Sequence, residues 1–165
     1  MQRPYQIFRA LVLSAWLVGT SAAAQQLSVA DFYNGTNLDN MKQMVERFYA
    51  ADCTFEDPVT HIEGRDKLLS YYQKMYEGVT KIRFELGTQI RQGDEGFASW
   101  TMHLNTPKLE DGDTVVVKGV SQFRYRGEQV IFHRDYFDLG EMVYEHVPVL
   151  GWMVRSVKAR LSKHD

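Results

Sequence analysis

"TVVVKGVSQFRY", residues 114–125, is the stretch on which the fold turns. Successive side chains of a strand point to opposite sides. One face here reads Val115, Val117, Gly119, Ser121, Phe123 and Tyr125; the other reads Val116, Lys118, Val120, Gln122 and Arg124. The charged set belongs outside, which turns the hydroxyl of Ser121 inward. The same period of two runs through "TKIRFELGTQIRQ" (80–92), where Gly87 marks a bulge, and through "FASWTMHLN" (97–105). In the latter Ala98, Trp100, Met102 and Leu104 face in, while Thr101 and His103 face out. "GDEG" (93–96) and "RGEQ" (126–129) turn the chain between strands. "VIFHRDYFD" (130–138) is the last strand, and neither of its faces is clean. If Ile131 and Phe137 face the interior, His133 and Asp135 face it too.

Upstream the period is helical. "SVADFYNGTN" (28–37) starts on a Ser N-cap and predicts a short first helix. "LDNMKQMVERFYA" (38–50) places Met41, Met44, Val45 and Phe48 on one stripe, and "GRDKLLSYYQKMYEG" (64–78) is a third amphipathic helix. A short strand, 52–57, ends at Pro58. The order is helices, then an antiparallel meander, then a helical tail. That is an α+β layer architecture, with a curved antiparallel sheet forming a cone under N-terminal helices. The interior of such a cone is a natural small-molecule pocket. "VPVLGWMVRSVKARLSKH" (147–164) is a basic amphipathic tail, expected to pack over its own domain or a dimer mate more readily than on a membrane surface.

Residues 1–24 stand apart. Arg3 and Arg9 precede an apolar run, "ALVLSAWLVG" (10–19), and Ala22 and Ala24 fit an A-x-A cleavage pattern. This is the tripartite form of a secretory signal peptide, and the run is shorter than the ~20 apolar residues that span a bilayer. The expected organisation is a leader over 1–24, a domain over 25–145 and a C-terminal amphipathic helix over 146–165, exported to the periplasm or secreted. Loss of Arg3 and Arg9 takes the formal charge from −2 to −4, which argues against a partner bound through nucleic-acid phosphates. Cys53 is the lone cysteine, so no intrachain disulfide forms, and a small buried strand residue is the expected role. No ligand set for a metal stands out, and no cofactor is expected.

"CTFEDPVTHIEG" (53–64) puts Asp57 on the face of Phe55, toward the core. The inward-facing polar residues are then Asp57, Ser121, His133 and Asp135 in an apolar lining. A carboxylate among aromatic rings is costly unless it is paired or used, and desolvation suits it to act as a base near neutral pH. The plain alternatives are an Asx turn at Asp57 before Pro58, and a self-satisfied His133–Asp135 cluster.

"DFYNGTN" (31–37) and "FYAADCTFEDPVTHIEGRDKLLSYY" (48–72) resemble the nuclear transport factor 2-like superfamily, in its SnoaL-like and ketosteroid isomerase-like branch. The similarity covers about residues 29–140. It implies a curved sheet wrapped by three helices around a conical cavity. By this resemblance Asp57 falls on the isomerase's proton-shuttling base and Tyr33 on an oxyanion-hole donor. Ser121 stands where the isomerase carries a second, acidic donor. "HRDYFDL" (133–139) resembles limonene epoxide hydrolases, whose catalytic Asp falls on Asp135, although the neighbouring "WTMHL" (100–104) lacks their Arg-x-Asp.

These residues lead to an acid/base enzyme, an isomerase, cyclase or hydratase, on a small apolar substrate. Asp57 is the expected base, Asp135 the second acid, His133 its partner, and Tyr33 and Ser121 the oxyanion donors. Phe55, Trp100, Met102, Phe123 and Phe137 are the expected lining. Two alternatives stay open: a non-catalytic carrier of an apolar ligand, and a homodimeric interaction protein whose cone is filled by its own side chains and whose outer sheet face meets the partner.

Overall fold

The computed structural model describes residues 27–107, 112–147 and 149–162. The expected leader and Pro148 lie outside the described residues. Three helices come first: α1 (Val29–Gly35), α2 (Met41–Phe48) and, after two strands, α3 (Arg65–Tyr76). The strands are β1 (Tyr49–Glu56), β2 (His61–Glu63), β3 (Lys81–Gln92), β4 (Glu95–Asn105), β5 (Thr114–Arg126) and β6 (Gln129–Phe137). A short helix α4 (Leu139–Met142), a 3-10 turn (Tyr144–His146) and helix α5 (Leu150–Leu161) follow.

The six strands form one sheet in the order β2-β1-β6-β5-β4-β3. Strands β3 to β6 are the expected antiparallel meander. The pairing the sequence hides is β1 against β6, which is parallel and sets Phe55 beside His133. Strand β2, also unforeseen, folds back antiparallel on β1. Helix α1 begins at Ser28, whose hydroxyl accepts from the Asp31 N–H at 3.0 Å. The second helix is shorter than its spacing predicts, because Tyr49 and Ala50 already belong to β1.

Inward and outward faces follow the alternation in β4 and β5: Ala98, Trp100, Met102, Leu104, Val115, Val117, Ser121, Phe123 and Tyr125 are all buried. The register of β3 shifts between Leu86 and Gln89, where Gly87 foretells it. Strand β6 needs a correction. Val130, which strict alternation sets on the face opposite Ile131 and His133, is fully buried, and Ile131 is only half-buried. The register shifts between the Arg124–Phe132 and Tyr125–Val130 pairs, so one extra residue at Ile131 exchanges the faces. That bulge is why neither face of 130–138 reads cleanly, and it lets Val130, His133, Asp135 and Phe137 all point inward.

Within the single chain the tail does not take the first of its two expected packings, the one over its own domain. Helix α5 is held by polar contacts, Lys158 to Asp138 (3.1 Å) and Glu145 (2.5 Å), and Arg155 to the Glu145 carbonyl (2.7 Å). Its apolar side chains do not pack over the domain: Val149, Trp152, Met153, Val157 and Leu161 are exposed, Trp152 by 67%.

Gly119 sits opposite Trp100 on the inner face of the β4–β5 pair. A Cβ there would overlap the six-membered ring of Trp100, which is buried and tied by its N–H to Ser121. We expect Gly119→Ala to destabilise the fold by about 1–3 kcal/mol, the usual cost of overpacking. Urea denaturation measures this, and an unchanged midpoint would refute the account.

Candidate functional site

Helices α1 and α3, the inner face of the sheet and α4 enclose a cavity of about 190 Å³. The cone is therefore not filled by its own side chains. Its walls are mostly aromatic and aliphatic, with exposed Val59 and Met75 at one end. Of the residues expected in the site, Tyr33, Phe55, Asp57, Trp100, Met102, His133, Asp135 and Phe137 line it. Ser121 and Phe123 lie behind the lining, both fully buried.

The floor is a connected polar cluster. Strand alternation brings Ser121 of β5 opposite Asp135 of β6, and the Ser121 hydroxyl lies 2.5 Å from Asp135 Oδ1. The Trp100 indole N–H donates to Ser121 Oγ at 2.8 Å, and the Tyr33 hydroxyl lies 2.5 Å from the same oxygen. His133, two residues before Asp135 and only 1% exposed, places Nε2 2.9 Å from Oδ1. Its Nδ1 is 2.6 Å from the Tyr49 hydroxyl, which in turn is 2.9 Å from that of Tyr72.

One proton arrangement satisfies every member. Ser121 donates to the carboxylate and accepts from Trp100 and Tyr33. His133 donates from Nε2 to the carboxylate and accepts at Nδ1 from Tyr49, which accepts from Tyr72. Burial raises the phenols of Tyr33, Tyr49 and Tyr72 well above the ordinary value of 10.0, so all three remain neutral hydroxyls. Every side-chain hydrogen bond of Asp135 among the described residues runs to Oδ1. Oδ2 is left without one, and the side chain is 18% exposed on the cavity wall.

Asp57 differs. Its Oδ1 accepts from the Val59 and Thr60 N–H groups, both at 2.8 Å, and its Oδ2 accepts from the Tyr71 hydroxyl at 2.8 Å. This is the Asx turn that Asp-Pro suggests, joined to helix α3. Both oxygens are engaged at the rim of the cavity.

Sequence reasoning missed the tyrosines. Tyr49 appears there only at the end of the second helix, and Tyr72 and Tyr76 only within the third amphipathic helix. The signal available was the run of three phenols at Tyr71, Tyr72 and Tyr76, too many hydroxyls for a purely apolar face. Tyr76 also lines the cavity, and its hydroxyl makes no hydrogen bond among the described residues. Those residues also hold no group of three His, Cys, Asp or Glu side chains placed to share a metal ion.

Residues 29–133 match the family model described as the SnoaL-like domain. Solved structures are similar in fold. A protein with a ketosteroid isomerase-like fold from Catenulispora acidiphila, in complex with trimethylamine, is 19% identical. It superimposes with a TM-score of 0.59, over 71% of this chain and 86% of its own. A protein provisionally described as a SnoaL-like polyketide cyclase from Shewanella putrefaciens is 17% identical, with a TM-score of 0.56, over 68% and 75%. An NTF2-like protein of unknown function from Exiguobacterium is 13% identical, with a TM-score of 0.56, over 67% and 94%. No curated protein matches the chain.

The buried acids set a pH dependence. Tyr33, Tyr49 and Tyr72 are acids whose folded values are raised, and burial pushes the Cys53 thiol from 9.0 up to about 11. As pH rises through about 9–10 the unfolded chain releases these protons first, so it binds fewer than the folded chain and stability falls. Thermal midpoints should drop steadily above about pH 9 and stay level from pH 7 to 8.5 as far as these groups decide. A midpoint constant up to pH 11 would contradict the burial of these groups.

Proposed function

The chain belongs to the SnoaL-like family of the NTF2-like superfamily, and from that premise we propose that it is an acid/base enzyme of the isomerase or cyclase type. Its substrate is a small, largely apolar compound held in the cone. The observation that carries this reading is Asp135: one carboxylate oxygen is fixed by Ser121 and His133, and the other is unclaimed on an aromatic wall. The reaction class is proton transfer at a carbon next to a carbonyl. Asp135 Oδ2 takes the proton, and His133 and Ser121 hold the carboxylate in place and balance its charge. Tyr76, a phenol of the same lining that no other group among the described residues engages by a hydrogen bond, is the candidate donor for the developing oxyanion. Tyr33 and Ser121, the expected donors, already spend their protons inside the cluster. Asp57 shapes the rim through its turn and Tyr71, which leaves it less free to act as the base. A cavity of about 190 Å³ is small beside the ~300–1,000 Å³ of pockets for drug-sized ligands, which supports substrates of one or two rings.

Export through the leader is part of the same proposal. Peptide sequencing of the protein secreted by its host is expected to begin at Gln25, and retention of Arg3 and Arg9 would refute cleavage.

The catalytic reading is tested by deuterium exchange into a panel of small cyclic ketones, followed by NMR. The wild-type chain is expected to accelerate exchange at the carbon next to the carbonyl. Asp135→Asn should lose about 10²–10⁴-fold, the usual contribution of a positioned base, and Asp57→Asn markedly less. Full activity in Asp135→Asn would assign the chemistry elsewhere. Binding without exchange would make the cone a carrier.

A further inference from the structure

The charge of the cavity is one-sided. Among the described residues that line it are two carboxylates, Asp57 and Asp135, and neither a lysine nor an arginine. Even with His133 protonated, the lining is net negative. The neutral phenols of the wall add no positive charge. A ligand bearing a carboxylate or phosphate would meet two like charges with no counter-ion, in a site with little water to screen them.

Three rings that share the cavity lining with Asp135 pack on one another at steep angles. Phe84 stands at 85° to Trp100 with centroids 5.7 Å apart, and Phe137 at 52° with centroids 6.2 Å apart. Trp100 is linked to Asp135 through a single atom, Ser121 Oγ, which accepts from the indole N–H and donates to Oδ1. Three rings around a corner beside a carboxylate form the arrangement that attracts an organic cation. The faces supply the ring quadrupole, the carboxylate supplies the full charge, and the apolar walls remove the competing water.

We propose that this corner, Trp100, Phe84 and Phe137 beside Asp135, binds the ammonium head of a small, otherwise apolar amine or quaternary ammonium compound, and that the cone rejects anions. This rests on the reading of the cone as a ligand site and names the ligand's charge class.

The test uses three probes of similar size in ligand-observed NMR titrations of the full mature protein: benzyltrimethylammonium, its neutral carbon isostere neopentylbenzene, and 3-phenylpropanoate. The cation is expected to bind at least about tenfold tighter than the isostere, and the anion not to bind. Phe137→Leu should weaken the cation several-fold and leave the isostere nearly unchanged. Asp135→Asn should narrow the gap between cation and isostere. An isostere that binds as tightly as the cation, or an anion that competes with it, overturns the inference and leaves the cone a ligand site. If none of the three binds, the inference falls together with the reading on which it rests.

Discussion

Ser121 Oγ is the atom on which the site depends. It receives the Trp100 N–H, lies against the Tyr33 hydroxyl and donates to Asp135 Oδ1. A carboxylate on the floor of an aromatic cone is tolerable only when its charge is met by fixed donors. Here one hydroxyl and one imidazole N–H meet it from two strands. Four elements of the fold bring the participants: β4 the indole, β5 the hydroxyl, β6 the acid and the histidine, α1 the phenol. The cluster is shared between layers, so the packing of helices on the sheet and the orientation of the acid are one problem.

The same cluster explains the asymmetry between the two acids. Asp57 has both oxygens occupied by a turn and by Tyr71, whereas Asp135 keeps one oxygen unengaged toward the cavity. Carboxylates equal in composition differ in availability because one ends a strand, where bare N–H groups need an acceptor, and the other sits mid-strand, where the backbone is already paired. Tyr49 and Tyr72 extend the network behind His133, and the Asp135 carboxylate, which can only accept, places the ring proton on Nε2.

Most of the architecture was legible in the sequence because strands β4 and β5 alternate without fault. Ser121 facing inward followed from Lys118, Gln122 and Arg124 facing out. What stayed hidden was non-local. Nothing in 49–56 announces a parallel partner some eighty residues on, and the bulge at Ile131 appears only as a strand with two unclean faces. The pocket membership of Asp57, His133 and Asp135 followed from local parity. The division of labour among them did not, because it depends on which oxygens the Val59 and Thr60 amides and the Tyr71, Ser121 and His133 side chains consume. The attachment of the tail within the chain is likewise non-local, made by Lys158 and Arg155 to Asp138 and Glu145.

The parallel seam between β1 and β6 has a consequence for how the protein acquires its site. The meander closes through short hairpins, and such local pairings form early. Joining Tyr49–Glu56 to Gln129–Phe137 closes a loop of the whole intervening chain, a step whose entropy cost and slow rate grow with contact order. Until that seam zips, Tyr49 is remote from His133 and the acid at 135 has no roof of rings. The polar cluster is therefore complete only when that seam is closed, and the meander alone presents a sheet without the phenol behind His133.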